Sequence, residues 1–221
     1  MVLVENIAKV RDIVKSHAQD VVLIAATKTQ SKETIDEFVR LAPDFILGEN
    51  RVQELVEKYD ERYVWHFIGR LQTNKVKYII DKVELIHSLD RKDLADEIEK
   101  QAKKHDKVQD CLVEINMGGE LSKGGIAPES LFEFVDSLKD FKHLRIVGIM
   151  SVLPNLEDKN QLRELYIQLK KLYDELKTKK QSNLDVKYLS AGMTNDFEIA
   201  LDCGSNMIRL GRLLFGERTA T

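Results

Sequence analysis

The chain has 221 residues, 43% of them hydrophobic and 32% charged, with a formal net charge of −3. These values are typical of a soluble globular protein and give no reason to expect nucleic acid or an anionic membrane as a partner. The two distant cysteines, Cys111 and Cys203, exclude a disulfide framework, and without a signal-peptide pattern or a long apolar run a cytoplasmic protein is expected.

Short apolar segments alternate with longer amphipathic segments along the chain. A helix is predicted first, because Ile7, Val10, Ile13, Val14 and Ala18 recur at helical spacing. Segments rich in β-branched and aromatic residues then predict eight strands, at 21–26, 44–48, 63–68, 83–87, 111–116, 145–150, 186–190 and 207–210. Helices are predicted between them, most clearly at 32–40, 91–104, 128–139 and 159–177.

This alternation predicts an α/β fold with parallel strands and right-handed crossovers. Eight such units can close a single-domain (β/α)8 TIM-type barrel over residues 1–221, with an extra N-terminal helix. A doubly wound open sheet is the alternative, but no Gly-x-Gly-x-x-Gly follows the first strand. Only three prolines occur and no Gly/Ser-rich linker is present, so no domain boundary is visible.

The functional residues of such a barrel gather at the carboxyl ends of the strands. Lys28 follows the first predicted strand and two small alanines, where it has room to reach over a ligand. A desolvated lysine of this kind can form a Schiff base with an aldehyde, although a solvated strand-end lysine is the commoner case. The histidines are scattered and the cysteines unclustered, so no metal site is expected.

The ends of the last two strands resemble a phosphate-binding site. Strand seven leads into Ser190-Ala191-Gly192-Met193-Thr194-Asn195, and strand eight leads into Gly211-Arg212. Glycines at both places allow close approach of the backbone to phosphate oxygens, and the Ser190 and Thr194 hydroxyls can donate hydrogen bonds. Ordinary turn and helix-cap chemistry explains the same residues equally well.

Arg209 is predicted to point into the barrel, because it alternates with Met207 and Gly211 on one face of strand eight. A buried guanidinium needs an acceptor, which is either a carboxylate such as Asp196 or Glu198, or a ring nitrogen of a bound cofactor. An aldehyde-reactive lysine, a phosphate cradle and an arginine facing a ring nitrogen together describe a site for pyridoxal 5′-phosphate. A permanently charged arginine disfavours protonation of that nitrogen and so weakens the ring as an electron sink.

The chain resembles the pyridoxal phosphate homeostasis family, also called the proline synthetase co-transcribed family, from about residue 21 to residue 218. Seven motifs in order carry this resemblance: Ala26-Thr27-Lys28-Thr29, Gly48-Glu49-Asn50-Arg51-Val52-Gln53-Glu54, Trp65-His66-Phe67-Ile68-Gly69-Arg70-Leu71-Gln72-Thr73-Asn74-Lys75, Ile86-His87-Ser88-Leu89-Asp90, Ser122-Lys123-Gly124-Gly125-Ile126, Gly148-Ile149-Met150 and Arg209-Leu210-Gly211-Arg212-Leu213-Leu214-Phe215-Gly216.

The resemblance implies a barrel like the N-terminal domain of alanine racemase, with pyridoxal 5′-phosphate held as a covalent imine on Lys28 and with Arg209 facing the pyridine nitrogen. It also implies phosphate contacts from Ser190, Gly192-Met193-Thr194 and the Gly211-Arg212 backbone, with Asn50 near the ring. Position 212 is usually threonine in this family. Arg212 therefore loses a hydroxyl contact, and it either replaces that contact with a charge-assisted one or points to solvent.

Two functional classes follow from the resemblance. The first is a monomeric protein without catalytic residues that holds, buffers or delivers pyridoxal phosphate, with apo-enzymes that use the cofactor as candidate partners. The second is a racemase-like amino-acid enzyme, which needs a second acid/base opposite the lysine. No second domain is expected to close the site, and this favours the first class. Lys123 is a candidate for a transient second imine during transfer.

Overall fold

The computed structural model describes residues 2–17, 20–119 and 124–216, in which eight parallel strands close into a barrel. The strands are β1 (Val22–Ala26), β2 (Ile46–Glu49), β3 (Trp65–Phe67), β4 (Leu85–Leu89), β5 (Gln109–Glu114), β6 (Leu144–Met150), β7 (Leu184–Ser190) and β8 (Met207–Leu210). They pair in chain order, and β1 pairs with β8 so that Ile24 lies opposite Arg209. The predicted (β/α)8 barrel is confirmed, and each predicted strand overlaps an observed one.

Helices connect the strands and cover the outside of the barrel. They are α1 (Val2–Lys15), α2 (Lys32–Leu41), α3 (Val52–Lys58), α4 (Lys92–Lys104), α5 (Leu131–Ser137), α6 (Lys159–Thr178), α7 (Phe197–Asp202) and α8 (Arg212–Phe215), with 3-10 helices at Thr73–Tyr78 and Pro128–Ser130. The predicted extra helix is α1, which buries Ile7 and Val10 and reaches the end of the barrel where Asn6 donates to the Leu214 carbonyl at 3.1 Å. The short helices α3, α7 and α8 are not among the predicted ones, because their seven, six and four residues show no clear apolar stripe. The equally short α5 falls in the predicted helix 128–139, because a 3-10 helix directly precedes it.

Two apolar cores result from the alternation of side chains along the strands. The inner one fills the barrel and contains Ile24, Ile68, Leu85, Leu112, Val147, Met150 and Met207. The outer one lies between strands and helices and includes the stripe of α6, whose Leu162, Tyr166, Leu169, Tyr173 and Leu176 are buried. In the described part of the chain, each helix is too short or too polar to span a bilayer.

Candidate functional site

A cleft of about 710 Å³ opens at the carboxyl ends of the strands. Its volume lies within the range of about 300–1,000 Å³ that is usual for small-molecule sites. Of the predicted binding residues, it is lined by Lys28, Asn50, Met193, Thr194, Arg209, Gly211 and Arg212. Ser190 and Gly192 do not line it. The pairing of β1 with β8 explains why residues from opposite ends of the sequence meet in one wall.

Lys28 leaves β1 between two anchored threonines. Thr27 is fully buried, and its hydroxyl donates to the Glu49 carboxylate at 3.0 Å. Thr29 has a φ of 66°, which is rare for a β-branched residue, and its N–H donates to the Glu54 carboxylate at 2.9 Å. Such a conformation persists only where surrounding contacts enforce it. The hydrogen bonds of Thr27 and Thr29 therefore fix the direction in which the backbone leaves the strand at Lys28.

Lys58 contacts both carboxylates that hold the two threonines. Lys58 Nζ donates to Glu54 at 2.7 Å, to Glu49 at 3.0 Å and to the Thr27 carbonyl at 3.1 Å. The Glu49 side chain has no exposed surface and that of Lys58 is 11% exposed, so both charges depend on their mutual contact. These supporting residues were not predicted. The only signal in the sequence is the spacing of Glu54 and Lys58, which places them on one face of α3.

Arg209 lies inside the barrel, 4% exposed, and also reaches the cleft. Its Nη1 donates to the Ser190 carbonyl at 2.9 Å and to the Ser190 hydroxyl at 2.6 Å, and its Nη2 donates to the Ser151 carbonyl at 2.9 Å. Its hydrogen-bond partners are therefore neutral oxygens rather than the carboxylates of Asp196 or Glu198. Burial lowers the pKa of Arg209. These bonds leave guanidinium N–H groups for a ligand, since arginine carries about five.

A chain of hydrogen bonds runs across the barrel interior from Arg209. The Ser190 hydroxyl lies 3.2 Å from His87 Nδ1, and His87 Nε2 lies 3.1 Å from His66 Nδ1. Burial lowers the pKa of His66 to about 3. Burial first, then His66 and Arg209, lower the pKa of His87 well below its ordinary value. Both imidazoles are thus neutral, and one tautomer set satisfies both contacts, with Ser190 donating to His87 and His87 donating to His66.

The loop after β7 is held by Asp196. The Asp196 carboxylate accepts the Met193 N–H at 2.6 Å and the Tyr166 hydroxyl at 2.7 Å. Burial, together with Asp196, raises the pKa of Tyr166, which keeps its phenol protonated as a donor. Gly192 has a φ of +101°, and a Cβ there would lie 2.7 Å from the Cβ of Ala200. The loop conformation therefore requires glycine at position 192.

The two sides of the predicted phosphate site lie next to each other. The Leu213 N–H donates to the Thr194 hydroxyl at 3.4 Å, and Arg212 Nη2 donates to Asn195 Oδ1 at the same distance. Gly211 adjoins the end of β1, where an added Cβ would meet Ala26 only at 3.5 Å. Arg212 is exposed and belongs to the cleft wall.

Glu114 is a further titratable group at the carboxyl end of β5. Burial, reinforced by the Asp90 carboxylate, raises its pKa to about 7. A Cβ on Gly124 would lie 3.1 Å from its Oε2 and 3.4 Å from Asp90 Oδ2, so the two carboxylates share one corner. Among the described residues, no group of three or more His, Cys, Asp or Glu side chains could hold a metal ion. Lys123 lies outside the described residues.

Comparisons with known proteins place the chain among characterised sequences. A model of the family described as alanine racemase, N-terminal domain, matches residues 2–219. The pyridoxal phosphate homeostasis protein of Aquifex aeolicus is 48% identical over 200 residues, which cover 89% of this chain and 86% of that protein. The protein of the same name from Helicobacter pylori strain 26695 is 34% identical, with 97% of this chain and 96% of that protein covered.

Two solved structures also resemble this chain. PipY of Synechococcus elongatus with pyridoxal phosphate bound superposes with a TM-score of 0.82 at 27% identity, covering 97% of this chain and all of that one. Alanine racemase from Clostridium difficile in complex with cycloserine has a TM-score of 0.74 at 16% identity, and the match covers 96% of this chain but 59% of the racemase. The second likeness shows a shared fold alone.

Proposed function

Because the chain belongs to the pyridoxal phosphate homeostasis proteins, within the alanine racemase N-terminal domain family, we propose that it binds pyridoxal 5′-phosphate and holds, buffers or delivers this cofactor. The observation that carries the proposal is the placement of Lys28 and Arg209 in the wall of one cleft. The likeness to PipY with pyridoxal phosphate bound supports the same ligand.

Lys28 is the proposed covalent attachment point. Its unprotonated amine adds to the aldehyde carbon and a water molecule leaves, which gives an imine. The bound cofactor supplies this electrophilic aldehyde. The strained turn at Thr29 and the half-buried Lys58 hold the backbone on either side of Lys28, so the lysine is positioned before the ligand arrives.

Arg209 is the proposed partner of the pyridine nitrogen, and it fits this role because it is buried, reaches the cleft and keeps unused N–H donors. Asn50 lies in the same wall, and its buried Oδ1 has no hydrogen-bond partner among the described residues. A buried amide oxygen of this kind costs free energy unless a ligand or water pairs with it. Asn50 is therefore the third proposed contact of the ring.

The phosphate group is proposed to bind between the loop after β7 and the start of α8. Thr194 and the Gly211-Arg212 backbone face the cleft directly, and Arg212 adds a cation in place of a hydroxyl. Met193 lines the same wall, with its N–H engaged by Asp196. Gly192 shapes this loop, and Ser190 acts through Arg209.

Storage and delivery suit the site better than racemisation. An arginine opposite the ring nitrogen disfavours protonation of the pyridine and so weakens the ring as an electron sink for a carbanion. Apo-enzymes that use pyridoxal phosphate are the proposed recipients of the cofactor.

The decisive experiment is the visible absorption spectrum of the protein with pyridoxal phosphate, followed by borohydride reduction and peptide mapping. We expect an imine band that disappears in Lys28→Ala, with the reduced label on Lys28. Lys159→Ala is the matched control, because Lys159 lies in the same cleft wall and should leave the band unchanged. A colourless protein that stays unlabelled contradicts the proposal.

A further inference from the structure

A second cleft, of about 520 Å³, lies beside the first and shares Asn50 with it. It is lined by Asn50, Arg51, Val52, Gln53, Arg70, Leu71, Gln72, Thr73, Lys75 and Arg91. These residues come mainly from two of the family motifs, those that follow β2 and β3. As a proposed cofactor contact, only Asn50 comes from these motifs, while Glu49, Glu54 and His66 support the cofactor site from behind.

The two motifs are brought together by close backbone contact. A Cβ on Gly69 would lie 2.0 Å from the Asn50 carbonyl oxygen, so the two loops can touch here only because position 69 is glycine. On the other side, Arg91 Nη2 donates to the Leu71 carbonyl at 2.8 Å and to the Thr73 hydroxyl at 3.2 Å. The cleft is therefore built by fixed contacts on both sides rather than by mobile surface side chains alone.

The side chains around this cleft are hydrogen-bond donors. Four are cations, and the remaining polar ones are amides and a hydroxyl, while Val52 and Leu71 are buried. Among the residues that the structure describes, no carboxylate lines the cleft. A surface of this composition matches a ligand that presents many acceptor oxygens and a negative charge.

The cations differ in how far they are neutralised. Arg91 pairs with Asp90 at 2.6 Å, and Arg51 lies 3.5 Å from Glu54. Within residues 2–17, 20–119 and 124–216, no carboxylate lies within ion-pair distance of Arg70 or Lys75. Arg70 lies in the loop after β3 and Lys75 in the 3-10 helix that follows it, so both are placed to bind an anion. The charge of Arg70 also partly offsets the rise that burial causes in the pKa of Glu114.

We propose that this second cleft binds the phosphate group of a small phosphorylated molecule, independently of the cofactor cleft. Arg70 and Lys75 neutralise the phosphate, and Gln53 and Gln72 donate hydrogen bonds to it or to the rest of the ligand. The Thr73 hydroxyl shapes the cleft, because it accepts from Arg91 and donates to the Asp93 carboxylate at 2.9 Å. The cleft is in the size range of small-molecule sites and is larger than one oxyanion needs, which favours a phosphate ester over a bare ion. Because Asn50 lines both clefts, the ligand lies next to the proposed cofactor ring.

The test is isothermal titration of inorganic pyrophosphate into the full chain at constant ionic strength, with and without pyridoxal phosphate that has been fixed in its cleft by borohydride reduction and freed of excess cofactor. We expect binding that the cofactor does not displace, and an affinity lowered about tenfold or more in Arg70→Gln/Lys75→Gln, because two charge-assisted contacts are removed. Lys77→Gln is the matched control, since Lys77 lies on the same 3-10 helix outside the cleft. Replacement of this lysine should leave the affinity for pyrophosphate unchanged.

Three outcomes overturn the proposal: no binding of pyrophosphate, equal weakening by Lys77→Gln, or displacement by pyridoxal phosphate. The second outcome indicates a diffuse charge effect and the third places the anion in the cofactor cleft. If the double variant unfolds, Gln53→Ala at an exposed position of α3 replaces it, with an expected loss of about threefold. Because the titration without cofactor needs no imine, its result is distinguishable from failure of the proposed cofactor binding.

Discussion

The hydroxyl and the carbonyl of Ser190 both accept hydrogen bonds from Arg209 Nη1, at 2.6 and 2.9 Å. The serine therefore holds the guanidinium from one side, while the Ser151 carbonyl holds its Nη2 from the other. This arrangement gives Ser190 a role as a support of Arg209, and it explains why the serine does not reach the cleft wall.

Replacing Arg209 by lysine should destabilise the protein. Lysine keeps the charge but loses the planar fork, so at least one of the buried Ser190 and Ser151 acceptors is left unpaired, at a cost of about 1–3 kcal/mol. The free energy of unfolding in urea measures this. Arg212→Lys, at an exposed position, is the control and should change little. Equal stability of Arg209→Lys and the unmodified protein would show that the fork is not needed.

The buried histidines should make the protein sensitive to acid. The folded pKa of His66 is about 3, against 6.5 in an unfolded chain, so the unfolded state takes up a proton first as the pH falls below 6.5. Stability is unaffected above this pH and declines towards pH 3, by up to about 1.4 kcal/mol per pH unit for each such histidine. His66→Phe should therefore flatten the dependence of the unfolding free energy on pH between 6.5 and 4.5.

The control for this prediction is His105→Phe, because His105 is exposed. It should keep the pH slope of the unmodified protein. An unchanged slope in His66→Phe would mean that His66 is charged in the folded state.

Glu114 should lower the unfolding free energy as the pH rises, whereas the buried histidines lower it as the pH falls. The folded pKa of Glu114 is about 7 and lies above the ordinary 4.5, so its contribution to stability is complete below pH 4.5 and is lost as the pH rises from 4.5 through 7. Glu114→Gln should raise the unfolding free energy at pH 8.5 by on the order of 2 kcal/mol and should not raise it at pH 4. Glu84→Gln, at an exposed position, should have no such pH-dependent effect. A gain that is equal at both pH values contradicts the assignment.

Removal of the Lys58 side-chain charge should lower the free energy of unfolding. Lys58→Met leaves the buried Glu49 carboxylate without its cation, which typically costs about 3–5 kcal/mol. Lys32→Met removes one member of an exposed pair 3.8 Å from Asp60 and should cost less than about 1 kcal/mol. The double variant Lys58→Met/Glu49→Gln should recover part of the loss in urea unfolding. Without that recovery, the cost arises from lost packing instead of the orphaned charge.

Two glycines at the cleft should respond differently to alanine. Gly192→Ala forces a side chain into a positive-φ conformation and against Ala200, so a loss of more than about 1 kcal/mol is expected in thermal or urea unfolding. Gly211→Ala has room for its methyl group and should keep its stability, but the methyl limits the approach of phosphate to the backbone. A titration with pyridoxal phosphate should then show weaker binding. Unchanged affinity would exclude the Gly211 backbone as a phosphate contact.

The barrel could be predicted because the alternation of strands and helices is a local pattern, and Lys28 and Arg209 could be placed because strand ends share one face of such a barrel. The roles of Ser190 and Lys58 as supporting residues could not be predicted from the sequence. The direction of the Ser190 hydroxyl depends on contacts across the barrel with His87, and these join strands that are not neighbours. The contact of Lys58 with Glu49 depends on how α3 packs beside β2, which no spacing in the sequence encodes.

The pairing of β1 with β8 has a consequence during protein synthesis. The ribosome releases Lys28 long before Arg209, so a nascent or truncated chain carries the proposed attachment lysine before its proposed partner exists. The ligand site therefore forms only when the seam between the first and last strands closes, a long-range step that is among the slower events in folding. A ligand that contacts both strands of this seam stabilises the closed barrel by mass action. The proposed cofactor would therefore bind only to chains that have completed folding.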